Sequence, residues 1–222
     1  MKIEDAYLSF LTSVNRNLTN NNIDVSKPRF IILFNNLQIK YIEWILNSRN
    51  EDFIRYASTF LEDSKLSLKK EYKDRSLYSL PEDYFDLSNL SLSATKSDCG
   101  SKSLHTIEVK TEDLQELLND KFNEPSFEYG ETFYHVSGDN SITAYKKGFD
   151  ITEATLKYYR YPKEVDIKGY KRADGTNSED RHPEWDDKAV NRILLGAARE
   201  FAANNSDGQK YELTNNSLFS TM

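Results

Sequence analysis

ETFYHVSGDNSITAYKKGFDITEATLKYYRY, residues 131–161, contains three runs rich in aromatic and β-branched residues. Such runs are typical of strands, and we expect them at 131–136, 141–146 and 153–161. The triplet Gly138-Asp139-Asn140 tolerates positive φ, so the first two strands should form a hairpin. Pro162 ends the third strand, because proline cannot donate to a ladder. An antiparallel β module is therefore predicted in the middle of the chain.

Upstream of this segment the alternation of apolar and polar residues continues. It predicts a strand over 78–85, stopped by a turn at Pro81, with an irregular continuation through Leu87, Leu90 and Leu92. A polar loop is expected over 95–103 and another strand over 104–110. Thr111 is expected to cap a short helix whose apolar stripe is Leu114, Leu117, Leu118 and Phe122.

Both ends of the chain show helical periodicity instead. Apolar residues recur every three or four positions from Ile3, from Phe30 and from Phe53, which predicts three helices before residue 62. A closing helix is expected from His182, with Pro183 in its first turn and a stripe that runs from Trp185 to Phe201. The tail after Asn204 has no periodicity.

These patterns predict an α+β fold: a helical bundle of the N-terminal helices and the C-terminal helix, a small inserted antiparallel β module and an extended C-terminal tail. The expected divisions are 1–76 for the N-terminal helices, 77–162 for the β module with its short helix, 163–204 for a linker and the closing helix, and 205–222 for the tail.

Composition excludes several classes of protein. The 222 residues carry 29 Lys and Arg against 36 Asp and Glu, a net charge of −7, which disfavours a DNA reader because phosphate binding requires a basic surface. No apolar run is long enough to cross a bilayer, and we expect no signal peptide, since Glu4 and Asp5 stand where one would be basic. The single cysteine, Cys99, excludes an intramolecular disulfide.

Residues that could carry chemistry are few. His105, His135, His182 and Cys99 have no spacing that resembles a zinc site. Gly100-Ser101-Lys102-Ser103 lacks the earlier glycine of a phosphate-binding loop, since Thr95 stands there. No nucleophile elbow or dinucleotide fingerprint occurs. We therefore expect no catalytic residue, no cofactor and no metal, and hence no enzyme.

The run Tyr158-Tyr159-Arg160-Tyr161 requires an explanation. In an alternating strand Tyr159 and Tyr161 face one side of the sheet, and Tyr158 and Arg160 face the other. The run can cover a small core, form a protein interface, since tyrosine and arginine are enriched among residues that dominate binding energy, or stack on single-stranded nucleic acid. The acidic composition disfavours the last of these.

The order of motifs resembles a known family. Helices are followed by Leu80-Pro81-Glu82-Asp83-Tyr84-Phe85, then by Gly130-Glu131-Thr132-Phe133-Tyr134, then by Leu156 to Pro162 and a closing helix. This order, over roughly 24–204, resembles the head–tail connector adaptor (ring) proteins of tailed bacteriophages, particularly of short-tailed and crAss-like phages.

The resemblance implies a structural virion protein, assembled in the host cytoplasm. Such proteins form a ring, usually of twelve copies, below the portal protein, and they extend the channel through which genomic DNA passes without specific binding. Its partners would be further copies of itself, the portal and neighbouring connector or tail proteins, with no membrane. We expect Tyr159, Arg160 and Tyr161 on an inter-subunit or core face, and Tyr211, Leu218 and Phe219 as anchors of the tail.

Two other functions remain open from the sequence. A nucleic-acid-associated packaging or replication factor of a phage would bind DNA in a salt-dependent manner. An enzyme would need a pocket with convergent polar groups that the motifs do not reveal.

Overall fold

The computed structural model describes residues 1–17, 24–48, 50–97, 99–120 and 122–205, and within them the chain divides into two units. One unit combines residues 1–60 with 161–205, and the other is the continuous segment Leu61–Arg160. The elements in chain order are α1 (Ile3–Asn17), α2 (Lys27–Ser48), α3 (Glu51–Ala57), β1 (Leu61–Lys65), β2 (Ser67–Glu71), β3 (Arg75–Ser79), β4 (Tyr84–Lys96), β5 (Gly100–Glu108), α4 (Leu114–Asn119), β6 (Glu131–Ser137), β7 (Ser141–Tyr145), β8 (Asp150–Arg160) and α5 (Asp187–Asn205).

The helical unit brings together residues that are far apart in sequence. The apolar stripe of α1 is buried, and so is that of α5, because each covers the other. The ring of Phe10 in α1 meets that of Phe201 in α5 edge to face, with centroids 6.0 Å apart. Trp185 lies just before α5 rather than inside it and packs on Tyr41 of α2, at 5.3 Å between centroids.

The sheet unit is a single eight-stranded sheet in the order β1-β8-β4-β5-β6-β7-β3-β2. Neighbouring strands run antiparallel, except that β5 and β6 are parallel, with Ile107 opposite Phe133. The inner face buries one cluster of apolar side chains, which includes Leu90, Leu92, Ile142, Leu156 and Tyr158.

The sheet curls into a half-barrel. Its two outer strands, β1 and β2, are consecutive in the chain and are joined by Leu66 alone. The backbone N–H of Leu66 donates to the carbonyl oxygen of Ala154 in β8, at 2.9 Å. Since one residue spans only about 3.5 Å, the two ends of the strand order must approach each other, and the sheet must bend.

The parallel pair β5–β6 requires a crossover, because strands that run the same way cannot be joined by a tight turn. Residues 109–130 form it and contain α4. The short helix expected in this region is present, but its N-terminal cap position is Asp113 rather than Thr111, and it ends at Asn119.

The predicted fold class is wrong. The β portion is not a small antiparallel insertion in a helical bundle: it is an eight-stranded curled sheet of about a hundred residues with a parallel pair, accompanied by five helices in the described part of the chain. The sheet is larger than expected because β1 and β2 lie in the segment assigned to helices. In addition, β4 continues to Lys96 and β5 begins at Gly100, so both strands extend into the range 95–103, where a polar loop was expected. None of the helices in the described ranges combines the length and hydrophobicity that a bilayer crossing requires.

Candidate interaction surface

The tyrosine-rich end of β8 contributes to the interior of the sheet unit. Tyr158 is buried, its hydroxyl donates to the Asp83 carboxylate at 2.9 Å, and its ring stacks on Tyr84. Burial, and after it the hydrogen bond to Asp83, raises the pKa of the Tyr158 hydroxyl to about 12. This tyrosine is therefore a neutral hydrogen-bond donor.

Arg160 is also buried, and its Nε donates to Glu62 Oε1 in β1 at 2.7 Å. Tyr159 is half-buried and stands opposite Leu61 in the register of β1 and β8. Tyr161, the first residue beyond β8, is exposed over 45% of its surface. Partner binding by Tyr159, Arg160 and Tyr161 stays a prediction, and the expected tail anchors Tyr211, Leu218 and Phe219 lie outside the described residues.

The candidate ligands of a metal do not converge. Among the residues that the structure describes, no group of three or more His, Cys, Asp or Glu side chains could hold a metal ion. Cys99 is exposed.

One side-chain arrangement was not expected from the sequence. His135 Nε2 lies 2.9 Å from the Ser137 hydroxyl, and His135 Nδ1 lies 3.4 Å from the Tyr145 hydroxyl. Burial, together with the positive charge of Arg75, lowers the pKa of His135, so its ring is neutral near pH 7. In a serine triad a carboxylate orients the histidine, whereas here the phenolic hydroxyl of Tyr145 takes that position. We read it as a polar link between β6 and β7.

The two most exposed large apolar side chains of the sheet unit lie on the crossover between β5 and β6, and two further exposed ones lie in or next to it. Phe122 is 98% exposed and Tyr129 is 85% exposed. Ile107 at the end of β5 and Leu118 in α4 expose about half of their surface. These four residues define what we call the crossover surface. Apolar side chains so fully in water are unusual when they gather in one place, and they mark interaction sites.

Two adjoining grooves run through the crossover surface. One has a volume of about 150 Å³ and is lined by Ile107, Phe122 and Tyr129, and the other, of about 280 Å³, is lined by Leu118. Both grooves share Leu117, Glu124, Pro125 and Phe133 as walls. The floor is firm, because Phe133 stacks on Tyr145 with ring centroids 4.8 Å apart and joins a buried cluster with Leu114.

The crossover, together with the strand residues Glu108 and Glu131 that flank it, carries the net negative charge of the sheet unit. From Glu108 to Glu131 the sequence has eight acidic residues against Lys110 and Lys121, an excess of six. The whole segment 61–160 has 19 acidic and 13 basic residues, which is the same excess. The rest of the sheet unit is thus electrically balanced, and its field originates at the crossover.

Some of these acids are paired and others face water. Glu124 forms an ion pair with Lys147, and Glu128 forms one with Lys96. Glu112 and Glu116, on either side of the start of α4, are exposed. Their carboxylates lie next to the apolar side chains in sequence and remain available to a positively charged group.

Sequence reasoning misplaced this surface. The sequence pattern predicted Phe122 in the apolar stripe of the short helix, together with Leu118. The helix ends at Asn119, before the stripe reaches Phe122. Asp120 accepts hydrogen bonds from the N–H of Phe122, at 2.9 Å, and from the Asn123 side chain, at 2.6 Å, which closes a turn. The high density of acidic residues around Phe122 and Tyr129 is the sequence signal that could have indicated an exposed surface here.

Comparison of the chain with models of known protein families gives no match, and comparison with curated proteins gives none either. No family is therefore assigned to the chain.

Proposed function

We propose that the protein is a subunit of a head–tail connector ring of a tailed bacteriophage, attached below the portal. In this role it links the capsid portal to the tail and extends the DNA channel. It acts by forming contacts with copies of itself and with its neighbours, without catalysis and without a cofactor.

The order of its motifs along the chain carries this proposal, and their positions in the fold support it. The Leu80–Phe85 motif makes the turn between β3 and β4, where the Tyr84 N–H donates to the Pro81 carbonyl oxygen at 3.2 Å. Gly130, with φ of 72°, opens β6 after the crossover. The motif that ends at Pro162 returns the chain from the sheet unit to the helical unit. Each motif thus includes one end of a strand, and the proposal rests on the order of the motifs along the chain.

The charge of the protein is compatible with a channel component. DNA must move past such a subunit without being held, and a basic surface would hold it through counterion release. An acidic surface repels phosphates weakly at physiological salt, because charges farther apart than about 8 Å are screened.

The assembly state tests the proposal. We would express the full chain alone and together with the portal protein of the same genome, and measure particle mass by light scattering and shape by negative-stain microscopy. We expect a ring-sized complex in which this chain is present in multiple copies on the portal.

A chain that stays monomeric in the presence of assembled portal would contradict the connector role. Salt-dependent retention on a DNA column would instead favour the packaging or replication factor, since only that function requires phosphate contacts.

A further inference from the structure

We infer that the crossover surface binds a basic amphipathic segment of another protein. The segment places one large apolar side chain, aromatic or aliphatic, in the smaller groove, and its lysine or arginine side chains lie along the acids of the crossover. This inference concerns the chemistry of one surface and does not depend on the connector role.

The exposure of Phe122 and Tyr129 indicates that the partner covers them with apolar surface. Phe122 and Tyr129 gain nothing from the fold in their present positions, because almost all of their surface is in water. Removing apolar surface from water yields roughly 25 cal/mol for each Å², so covering two aromatic side chains is strongly favourable. Aromatic residues beside a groove are also the side chains that contribute most to known interfaces.

The size of the smaller groove limits what can enter it. A cavity of roughly 150 Å³ holds a molecule of about the size of benzene, and the groove has a volume of about 150 Å³. One large apolar side chain therefore fits in the groove. The ligand is an exposed segment that offers such a side chain.

The charge of the occupant follows from that of the surface. The excess of six negative charges from Glu108 to Glu131 favours a positively charged partner through complementarity and steering. A symmetric contact with a second copy would bring two such crossovers together, and the like charges would repel. DNA is excluded for the same reason.

The test is a selection followed by a binding measurement. A displayed library of random twelve-residue peptides would be selected on the full chain in 0.15 M NaCl. We expect the enriched peptides to combine at least one aromatic or large aliphatic residue with several lysines or arginines. The most enriched peptide would then be synthesised, and its affinity measured by fluorescence anisotropy.

An apolar pair of variants separates this surface from others. Phe122→Ser combined with Tyr129→Ser should weaken binding of the selected peptide about tenfold or more. The matched control, Leu8→Ser combined with Ile32→Ser, removes two other exposed apolar side chains and should change affinity less than about twofold. All four positions are mostly exposed, so folding is preserved and near-UV circular dichroism verifies it.

A charge pair completes the test. Glu112→Gln combined with Glu116→Gln should weaken binding of the selected peptide about threefold. The matched control is Asp63→Asn combined with Glu82→Gln, which changes the net charge equally but lies outside the crossover. It should have a smaller effect on affinity. Enriched peptides that are neutral or acidic, an affinity that Phe122→Ser with Tyr129→Ser leaves unchanged, or a library without any enriched peptide would each overturn the inference.

Discussion

Asp166 organises the long connection between β8 and α5. Only 2% of this residue is exposed, yet its carboxylate is fully engaged. The Tyr170 hydroxyl donates to it at 2.7 Å, Arg172 Nε at 3.0 Å, and the backbone N–H groups of Ile167 and Glu179 at 2.9 and 3.2 Å. A segment that looked like a plain polar linker is thus held around one buried anion.

The ionisation of Asp166 follows from these contacts. Burial alone raises the pKa of the carboxyl, but the hydrogen bonds donated by Tyr170, Arg172 and the two amides outweigh burial and lower its pKa to about 2. Since the ordinary value is 3.8, the folded state binds this proton less readily than the unfolded state does. The contribution of Asp166 to stability is therefore present above pH 4 and is lost as pH falls toward 2.

We expect Asp166→Asn to reduce the free energy of unfolding by about 2–3 kcal/mol at pH 7, because Arg172 loses its partner and the amide cannot accept the same bonds. The difference between wild type and variant should shrink between pH 4 and pH 2. Urea unfolding over this pH range measures both effects. Glu164→Gln, an exposed neighbour in the same connection, is the control and should change stability by less than about 0.5 kcal/mol. A deficit for Asp166→Asn that is the same at pH 7 and pH 2 would contradict the assigned ionisation.

Asn140 determines the geometry of the hairpin between β6 and β7. Its φ is 57°, in the left-handed region, as the triplet Gly138-Asp139-Asn140 predicted, and its carbonyl oxygen accepts from the N–H of Leu80 at 3.1 Å. Asn140→Ala should cost about 1 kcal/mol, because a Cβ without a polar partner disfavours this conformation, whereas Asn140→Gly should cost little. Thermal unfolding of the two variants gives the comparison. Equal losses for both would mean that the side chain, and not the backbone conformation, matters here.

Strands with a buried face were predictable and exposed strands were not. β6, β7 and β8 were predicted close to their observed ranges, because they are rich in the aromatic and β-branched residues that favour strands. Every residue of β2 is exposed, and it carries Lys69 and Lys70. Its sequence has no apolar face to reveal a strand, and charged residues on an edge strand serve to prevent pairing with other chains.

The crossover surface could not be predicted from the sequence for a related reason. Spacing indicates which side chains could share a face, but it does not indicate where a short helix stops. Leu114 of the expected stripe is buried, while Phe122 lies beyond the helix end in water. The exposure of an aromatic side chain depends on tertiary structure, since only the parallel pairing of β5 and β6 makes the crossover necessary.

The two units differ in how the chain builds them. The sheet unit is one continuous segment with its own apolar cluster, whereas the helical unit needs α5 to cover α1 and α2. A fragment of residues 61–160 should therefore unfold cooperatively and give a dispersed ¹H–¹⁵N spectrum. A fragment of residues 1–60 should show neither property, because the apolar stripes of α1 and α2 then lack α5, which buries them in the full chain. A collapsed, undispersed spectrum from residues 61–160 would contradict the independence of the sheet unit.

Long-range pairing also explains the error in fold class. Helical stripes at both ends of the chain favour a bundle, and they do pack together in one unit. The strands β1 and β4, however, pair with β8 across long stretches of sequence that no local pattern connects. Leu61 stands opposite Tyr159, 98 residues further along the chain, and Leu90 stands opposite Leu156, 66 residues further along. Sequence periodicity indicates which residues share one face of a helix or strand, but not which strands pair with each other. The number of strands in the sheet therefore could not be counted from it.

The one-residue link at Leu66 has a consequence for the evolution of the chain. An insertion or deletion there would change the separation of β1 and β2, and with it the curvature of all eight strands. The same change in the turn between β4 and β5 would lengthen a single hairpin and leave the other ladders in register. Natural homologues should therefore differ in length at that turn and keep a constant length between β1 and β2.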